Sequence, residues 1–409
     1  MIFILMVLLL LPAAGFAQIT PEQVLDVRQI GDLRLSPDGH QVAFTVTEPV
    51  KGTERNTDIY LLDIASRQIR QLTFSARSET SPRWRPDGRA LAFLADRDGN
   101  NQIYLLPLDG GEAMRLTEGK HSIQSFDWSP DGKQISFLAP EPRTDEEDKR
   151  IRERDDARVV DKDNRLPRLW VFDVATKKIR QLTSGPWRVS DPQWKPSGDG
   201  LIVIASNHPE LDVPTSKIYS ISASGGDLVE LFSPPGSRFG QMSISPDGKT
   251  LAWQGARDNG EGSADVYVRP LAGGEPRNLT ASVDRQFSHM WMKDGSMLSV
   301  VQTGFRSVFY RITPEGQPEP MPQIPVNPAT ATATQGTIVF VGHTATQMPE
   351  IYIWDGKDTP EKVSKFNAHW DKIPLVKPEI FTYKSFDGLE IEAALLKPAG
   401  YAAGAKMPL

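Results

Sequence analysis

The stretch Trp-Ser-Pro-Asp-Gly-Lys-Gln-Ile-Ser-Phe, residues 128–137, decides the fold because related sequences recur along most of the chain. Pro130 pre-sets φ for the second position of a tight turn, and Asp131 can hydrogen-bond to the local backbone. Gly132 accepts the positive φ that closes a bulged hairpin. The apolar residues on either side of this turn therefore read as two antiparallel strands.

The same kind of turn recurs in five other places. These lie at 36–39, 85–88, 195–198, 245–248 and, without the proline, 293–295. Each is followed by an aromatic-bearing strand, a turn and a short final strand. The second halves of the repeat, seven in all, begin at Ile59, Ile103, Leu169, Ile218, Val266, Phe309 and Ile351.

A four-stranded unit that repeats every 42 to 49 residues, with one interval of 66, is typical of a β-propeller blade. We therefore predict an all-β fold, with a seven-bladed β-propeller over residues 18–370. A signal peptide over 1–17 would precede it, and a further segment over 371–409 would follow. The tryptophans Trp84, Trp128 and Trp194 are expected at equivalent inner positions, packed between adjacent blades.

The interval of 66 residues is explained by a charged insertion over 140–167 in the third blade. Its part from Arg143 to Arg165 mixes nine acidic with eight basic residues, so its net charge is near zero. Pairs such as Glu146 and Arg150, four residues apart, predict a helix here. The insertion is either a solvated excursion or a projection from one face of the propeller toward a partner domain or substrate.

Composition and charge exclude several classes of protein. A net charge of −6 and a pI near 5.7 argue against a nucleic-acid partner, because phosphate binding needs clustered Lys and Arg. The chain has no cysteine, which excludes disulfide and thiol chemistry. A hydrophobic content of 39% is ordinary for a soluble globular protein.

The N-terminus has the features of an export signal. An apolar run over residues 2–11 ends at Pro12, and Gly15-Phe16-Ala17 supplies small residues for a signal peptidase, which makes Gln18 the expected mature start. The run is too short to span a bilayer. We therefore predict a periplasmic or secreted protein with no membrane attachment after cleavage. Because no Lys or Arg precedes the run, a retained anchor or a mis-assigned start codon is the alternative.

The sequence contains no catalytic, cofactor-binding or metal-binding pattern. A Gly-x-Ser-x-Gly nucleophile elbow and a glycine-rich phosphate loop are both absent. The six histidines are scattered without metal-ligand spacing, so we assign them no metal. They are His40, His121, His208, His289, His343 and His369.

After the seventh blade, two alternating strands are joined at Asp387-Gly388. The sequence Phe-Thr-Tyr-Lys-Ser-Phe-Asp-Gly at 381–388, followed by Leu-Leu-Lys-Pro at 395–398, resembles the start of the α/β-hydrolase domain of the prolyl oligopeptidase family. Its dipeptidyl aminopeptidase and acylaminoacyl peptidase branch is the nearest match. Pro-Glu-Ile-Tyr at 349–352 and Arg-Leu-Pro-Arg-Leu-Trp at 165–170 are also similar to that branch. The resemblance covers essentially the whole mature chain.

This resemblance implies the propeller of a secreted serine exopeptidase that acts on oligopeptides, with the propeller admitting short peptides and excluding folded proteins. Which peptide end is recognised stays open. In that family, residues 407–409 would begin the next hydrolase strand, before the oxyanion motif and the catalytic Ser, Asp and His. No position of this sequence matches those residues. We therefore expect a fragment that carries only the first hairpin of an incomplete α/β-hydrolase domain and is inactive alone.

Two alternatives come from other classes of protein. A binding propeller similar to the periplasmic Tol-system component would explain residues 36–366 equally well, but it would not explain the extra hairpin over 379–398. A sugar-active propeller would need convergent carboxylates, which we do not find in the sequence.

The hairpin also predicts how the chain behaves in isolation. Without the rest of a hydrolase sheet, its apolar side chains and strand edges would face water. We expect self-association or clipping near Lys377, whereas a chain ending at about Asn367 should stay monomeric. The apolar residues concerned are Phe381, Tyr383, Phe386, Leu389, Ile391, Leu395 and Leu396.

Overall fold

The structure is a computed structural model that describes residues 19–52, 54–97, 99–155, 165–208, 215–235, 239–257, 264–313, 316–334, 336–397 and 401. The proposed signal peptide lies outside the described residues. The strands form seven antiparallel four-stranded sheets, each built from consecutive strands, and one separate two-stranded sheet. The predicted seven-bladed β-propeller is therefore confirmed.

The first three blades occupy the N-terminal half of the propeller. Blade one contains β1 (Gln29–Leu35), β2 (Gln41–Thr47), β3 (Thr57–Asp63) and β4 (Ile69–Gln71). Blade two contains β5 (Glu79–Trp84), β6 (Ala90–Ala95), β7 (Gln102–Pro107) and β8 (Met114–Arg115). Blade three contains β9 (Ser125–Trp128), β10 (Gln134–Pro140), β11 (Pro167–Asp173) and β12 (Ile179–Gln181).

The other four blades repeat this order. Blade four contains β13 (Arg188–Trp194), β14 (Gly200–Ser206), β15 (Lys217–Ser222) and β16 (Val229–Phe232). Blade five contains β17 (Phe239–Ile244), β18 (Thr250–Ala256), β19 (Ala264–Pro270) and β20 (Arg277–Asn278). Blade six contains β21 (Met290–Trp291), β22 (Met297–Thr303), β23 (Arg306–Ile312) and β24 (Glu319–Pro320). Blade seven contains β25 (Asn327–Thr334), β26 (Thr337–Thr344), β27 (Gln347–Trp354) and β28 (Glu361–Lys362).

Three short helical segments and a hairpin complete the fold. They are α1 (Pro21–Leu25), α2 (Asp145–Arg152), a 3-10 helix (Ala368–Lys372) and the hairpin strands β29 (Glu379–Lys384) and β30 (Glu390–Leu395). Helix α1 begins with a capping box between Thr20 and Gln23. Helix α2 lies in the charged insertion, where its Asp145 carboxylate accepts from Lys120 Nζ at 2.7 Å.

The turn that identifies the repeat is held by its own side chains. Ser129 Oγ donates to Asp131 Oδ1 at 2.7 Å, and the same carboxylate accepts the Lys133 N–H at 3.0 Å. Ser129 Oγ in turn accepts the Gln134 N–H at 2.9 Å. The turn is therefore stabilised by bonds among its own residues, which explains why its pattern can be recognised in the sequence.

The first strand of each sheet lies innermost, next to the first strands of neighbouring blades, such as β1 beside β5 and β25. The predicted tryptophans end three of these strands and are buried at the blade seams. Trp84 Nε1 donates to the Arg34 carbonyl of blade one at 2.8 Å, and Trp194 Nε1 donates to the Asp127 carbonyl of blade three at 3.3 Å. Trp128 packs with Leu94 and other residues of blade two. The expectation that these tryptophans pack between adjacent blades is confirmed.

Candidate functional site

The two faces of the propeller differ in what they carry. On the turn face lie the Ser-Pro-Asp-Gly turns, which join the first strand of each sheet to the second. On the loop face lie the connections from the second strand to the third, including the charged insertion, and the links between blades. Because the strands alternate in direction, the chain reaches β1 and leaves β28 on the loop face.

Exposed apolar side chains occur in several parts of the propeller. Met114 and Val229 begin the outer strands β8 and β16, next to the turn face, and are 55% and 61% exposed. On the loop face, Phe74 is 76% exposed and Phe305 is 49% exposed, and α2 presents Ile151. Together with the C-terminal hairpin described next, these side chains make the loop face the candidate site for a partner domain.

The C-terminal hairpin lies against this loop face. Phe305, in the tight turn between β22 and β23, donates its backbone N–H to Glu392 Oε2 of β30 at 3.3 Å. The two hairpin strands pair in register from Glu379–Leu395 to Lys384–Glu390, and Gly388 takes φ +86° at the predicted turn. The predicted hairpin is therefore present, although the structure describes no hydrolase sheet beside it.

The apolar side chains of the hairpin face water, as the sequence predicts. Phe386 is fully exposed, and Leu389 and Leu396 are each 65% exposed. Phe381 and Tyr383 lie two residues apart on the same face of β29, and each is about half exposed. The hairpin thus offers an apolar surface and an unpaired strand edge beside the exposed side chains of the loop face.

The axial channel has a charged wall on the side of blades one to three. Asp32 Oδ1 of β1 accepts from Arg34 Nε at 2.7 Å and from Arg83 Nη1 of β5 at 3.5 Å. Burial and the neighbouring Arg34 lower the pKa of Arg83, while Asp32 and Asp127 oppose that change. Asp127 of β9 is accessible to water, yet enclosure by the surrounding protein raises its pKa, against the attraction of Arg83.

Four inner strands share an unusual backbone feature. β1, β5, β13 and β17 each contain a bulge in which a non-glycine residue has positive φ. These residues are Asp32 (φ 47°), Ser81 (φ 56°), Asp191 (φ 50°) and Gln241 (φ 51°). Asp191 Oδ2 accepts the Met242 N–H of the next blade, so these bulges link inner strands around the channel. Sequence reasoning missed them, although each is a polar residue five positions before the proline of its turn.

The ring closes by hydrogen bonds between blade one and the segment after blade seven. The Arg28 N–H donates to Asn367 Oδ1 at 2.8 Å, and Asn367 Nδ2 returns a bond to the Arg28 carbonyl at 3.0 Å. Trp370 is buried, and its Nε1 donates to the Asp26 carbonyl at 2.8 Å. Since β25 to β28 all come from one stretch of chain, side chains rather than a shared strand close the propeller.

The described part of the chain contains no group of three or more His, Asp or Glu residues that could hold a metal ion. The histidines are dispersed, and several have structural partners. His289 Nε2 lies 2.9 Å from Ser243 Oγ, and burial lowers the pKa of His289 to about 4. His369 contacts Asp26 at the ring closure. Within the described residues, no helix is both long enough and apolar enough to cross a membrane.

Two protein families match the chain. The family described as "TolB beta propeller domain" matches residues 29–159, and the family described as "Dipeptidyl peptidase IV (DPP IV) N-terminal region" matches residues 149–255. Both matches fall within the propeller.

Curated relatives point to peptidases. The chain is 32% identical over 84 residues to dipeptidyl-peptidase 5 of Porphyromonas endodontalis, which covers 20% of this chain and 12% of that protein. It is 24% identical over 285 residues to the uncharacterized peptidase YuxL of Bacillus subtilis, which covers 61% of this chain and 33% of that protein. The matched regions therefore span a third or less of the length of these relatives.

A solved acylaminoacyl peptidase has the same fold over nearly the whole chain. Its TM-score is 0.74 at 18% identity, and the likeness covers 95% of this chain and 60% of that one. The family matches in the propeller, the peptidase relatives and this shared fold together support a likeness to the N-terminal propeller portion of the prolyl oligopeptidase family.

Proposed function

We propose that this chain is the substrate-gating propeller of a secreted serine exopeptidase that cleaves oligopeptides. The catalytic Ser, Asp and His would come from an α/β-hydrolase domain that continues from the hairpin. That domain would perform acyl transfer to water through a serine nucleophile. The propeller would contribute no catalytic group and would decide which substrates reach the active site.

The observation that carries this proposal is the exposed apolar hairpin that lies on the loop face. A domain that packs on the propeller needs a face with apolar side chains, and the loop face supplies Phe74 and Phe305. The hairpin, which would lead into the hydrolase sheet, lies on this face through the bond from Phe305 to Glu392. Its exposed Phe386 and Leu389 would be buried by the remaining strands of such a sheet.

Gating follows from the closed ring and its charged channel. Paired side chains of blades one and two crowd one side of the channel, and the Arg28–Asn367 bonds hold blade one to the segment after blade seven. A closed ring of this kind would pass an extended peptide more readily than a folded protein. The propeller would therefore admit short peptides and exclude folded ones.

The proposal predicts that opening the ring relaxes substrate size. In the full protein purified from its natural host, Asn367→Ala removes the paired bonds to the Arg28 backbone. We expect cleavage of intact casein to rise by about tenfold or more, while hydrolysis of a dipeptide p-nitroanilide changes less than about threefold, because the chemistry is untouched.

The matched control is Arg67→Ala. Arg67 also links blade one to blade seven, through Glu361 at 2.9 Å, but both side chains are exposed at the outer rim. Such a pair contributes little, so this variant should behave as the wild type. Equal casein cleavage by all three proteins would contradict gating at this seam, and the absence of any peptide hydrolysis would contradict the peptidase assignment.

A binding propeller that acts in protein–protein interaction is the second candidate, favoured by the match of residues 29–159 to the TolB propeller family. This function would not need the hairpin. Deleting residues 379–395 separates the two, because a binding propeller would keep its partner whereas a peptidase would lose its activity.

A further inference from the structure

In four blades, the same position of the repeat carries a polar side chain that links the third strand to the residues after the fourth strand, on the loop face. In blades one, two, five and seven it immediately precedes the first buried apolar residue of the third strand. A Thr or Ser two residues after the fourth strand bonds this side chain and accepts the next backbone N–H. The four residues are Asp58, Gln102, Asp265 and Glu350, with Thr73, Thr117, Thr280 and Ser364 as their respective partners.

At two of the three acids in this position, hydrogen-bond donors or a cation offset the negative charge of the buried carboxylate. Asp265 accepts a bidentate pair from Arg257, with Nε at 2.8 Å and Nη2 at 3.0 Å, and a further bond from Asn278 at 2.7 Å. Burial opposes this effect, but these bonds still lower the pKa of Asp265. Glu350 accepts the backbone N–H groups of Phe366 and Asn367 at 3.0 Å and 2.7 Å.

Asp58 meets a carboxylate instead of a cation. It is 7% exposed at the start of β3, and it interacts across the seam with Glu79, which begins β5 of blade two and is completely buried. Arg97 donates to Glu79 Oε1 at 2.6 Å. Asn56 Nδ2 reaches Asp58 Oδ2 at 3.4 Å. Asp58 Oδ1 and Glu79 Oε2 are both buried and have no donor among the described residues.

A single proton held between these two oxygens would satisfy both of them. Two buried carboxylates that face each other repel, and each unpaired acceptor costs the desolvation energy of an unmade hydrogen bond. We propose that Asp58 and Glu79 share one proton and form a latch across the seam between blades one and two. When the pair is protonated, the latch holds blades one and two together at the loop face. When the proton is lost, the seam opens there more readily.

The surrounding charges place the working range of this latch in mildly acidic solution. Burial, Glu79 and Glu48 together raise the pKa of Asp58 to about 6, although the Thr73 hydroxyl opposes them. The other ionisable groups near it are engaged elsewhere or neutral: Arg28 pairs with Glu48 at 2.9 Å, Arg97 pairs with Glu79, and Tyr60 keeps its phenol proton because its pKa is raised.

The sign of the effect follows from the two states of the seam. In an open seam Asp58 is in water, where a carboxyl titrates near its ordinary value of about 4. The closed seam therefore binds the proton more tightly. Closure is favoured below the ordinary value and is lost progressively as the pH rises toward 6, by up to about tenfold per pH unit.

Hydrogen–deuterium exchange of the whole chain tests the latch. After correction for intrinsic exchange rates, backbone amides around Asp58 and Glu79 should lose about tenfold or more of their protection between pH 4.5 and 6.5. Amides around Asp265 should keep their protection over the same pH range. In Asp58→Asn the amide gives Glu79 a permanent N–H donor, so protection at the seam should stay high and independent of pH.

The control is Asp265→Asn, which alters the same position in blade five, where Arg257 already compensates the acid. It should leave the pH dependence of the first seam unchanged. The latch is refuted if Asp58→Asn retains the wild-type pH dependence, or if the wild-type seam shows none. Restoration of protection at pH 7.5 by added calcium would also refute it, because a metal bridge and not a proton would then join the carboxylates.

Discussion

At the scale of single residues, the tryptophans at the ends of the inner strands contribute most to the seams. Trp128 is 5% exposed and packs against both blade two and blade three. We expect Trp128→Ala to lower the free energy of unfolding by about 3 to 5 kcal/mol, because the truncation leaves a cavity at a seam. Urea denaturation followed by circular dichroism measures this, and a loss below about 1 kcal/mol would show that the seam repacks.

Comparison with Trp84 separates packing from hydrogen bonding. Trp84 Nε1 donates to the Arg34 carbonyl, whereas Trp128 Nε1 is buried without an acceptor among the described residues. Phenylalanine at either position keeps most of the apolar contact. Trp84→Phe should therefore cost about 1 kcal/mol more than Trp128→Phe, since only the first change leaves a carbonyl without its donor.

At the scale of elements, the C-terminal hairpin is the exposed part of the molecule. The apolar residues of β29 and β30 are open to water, and both strand edges are unpaired within the described residues. We expect the expressed chain to self-associate in light scattering and to hydrolyse no peptide p-nitroanilide. Exposed edges recruit further strands, and the chain supplies no serine nucleophile elbow.

The structure indicates that the shorter control chain, which lacks the hairpin, should end after Trp370 and not at Asn367. Ending at Asn367 would remove Trp370, whose buried side chain bonds Asp26 at the ring closure. A chain ending at Ile373 keeps this contact and should be a folded monomer. If the complete chain is also a monodisperse monomer, or if peptide turnover survives repurification, the interpretation of the hairpin is wrong.

At the scale of the whole molecule, the compartment remains a prediction from the N-terminal sequence. The apolar run over residues 2–11 and the small residues before Gln18 predict export and cleavage. We expect the protein from a bacterial periplasmic extract to begin at Gln18, as determined by intact-mass measurement and N-terminal sequencing. A chain that retains Met1 and stays with the membranes would instead indicate an uncleaved anchor.

The sequence by itself determined the blade repeat, because the Ser-Pro-Asp-Gly turn is stabilised within six residues. The seventh blade lacks this turn and was counted from its second half at Ile351. The bonds of Ser129, Asp131 and Gln134 form without help from other blades, so their spacing is visible in the chain. The hairpin at Gly388 was predictable for the same reason. Turns that are held by hydrogen bonds between neighbouring residues need particular residue types at fixed spacing, and this pattern can be recognised in the sequence.

Only the tertiary structure decided which residues meet across the seams. Arg28 and Asn367 are 339 residues apart, and no local pattern marks them as partners. Asp58 and Asp265 occupy the same place in the repeat, yet one faces Glu79 and the other faces Arg257. Their opposite electrostatics depend on which side chain lies beside each acid in the folded ring. The charge that a buried carboxyl carries is set by its neighbours in space, and the order of residues along the chain does not specify them.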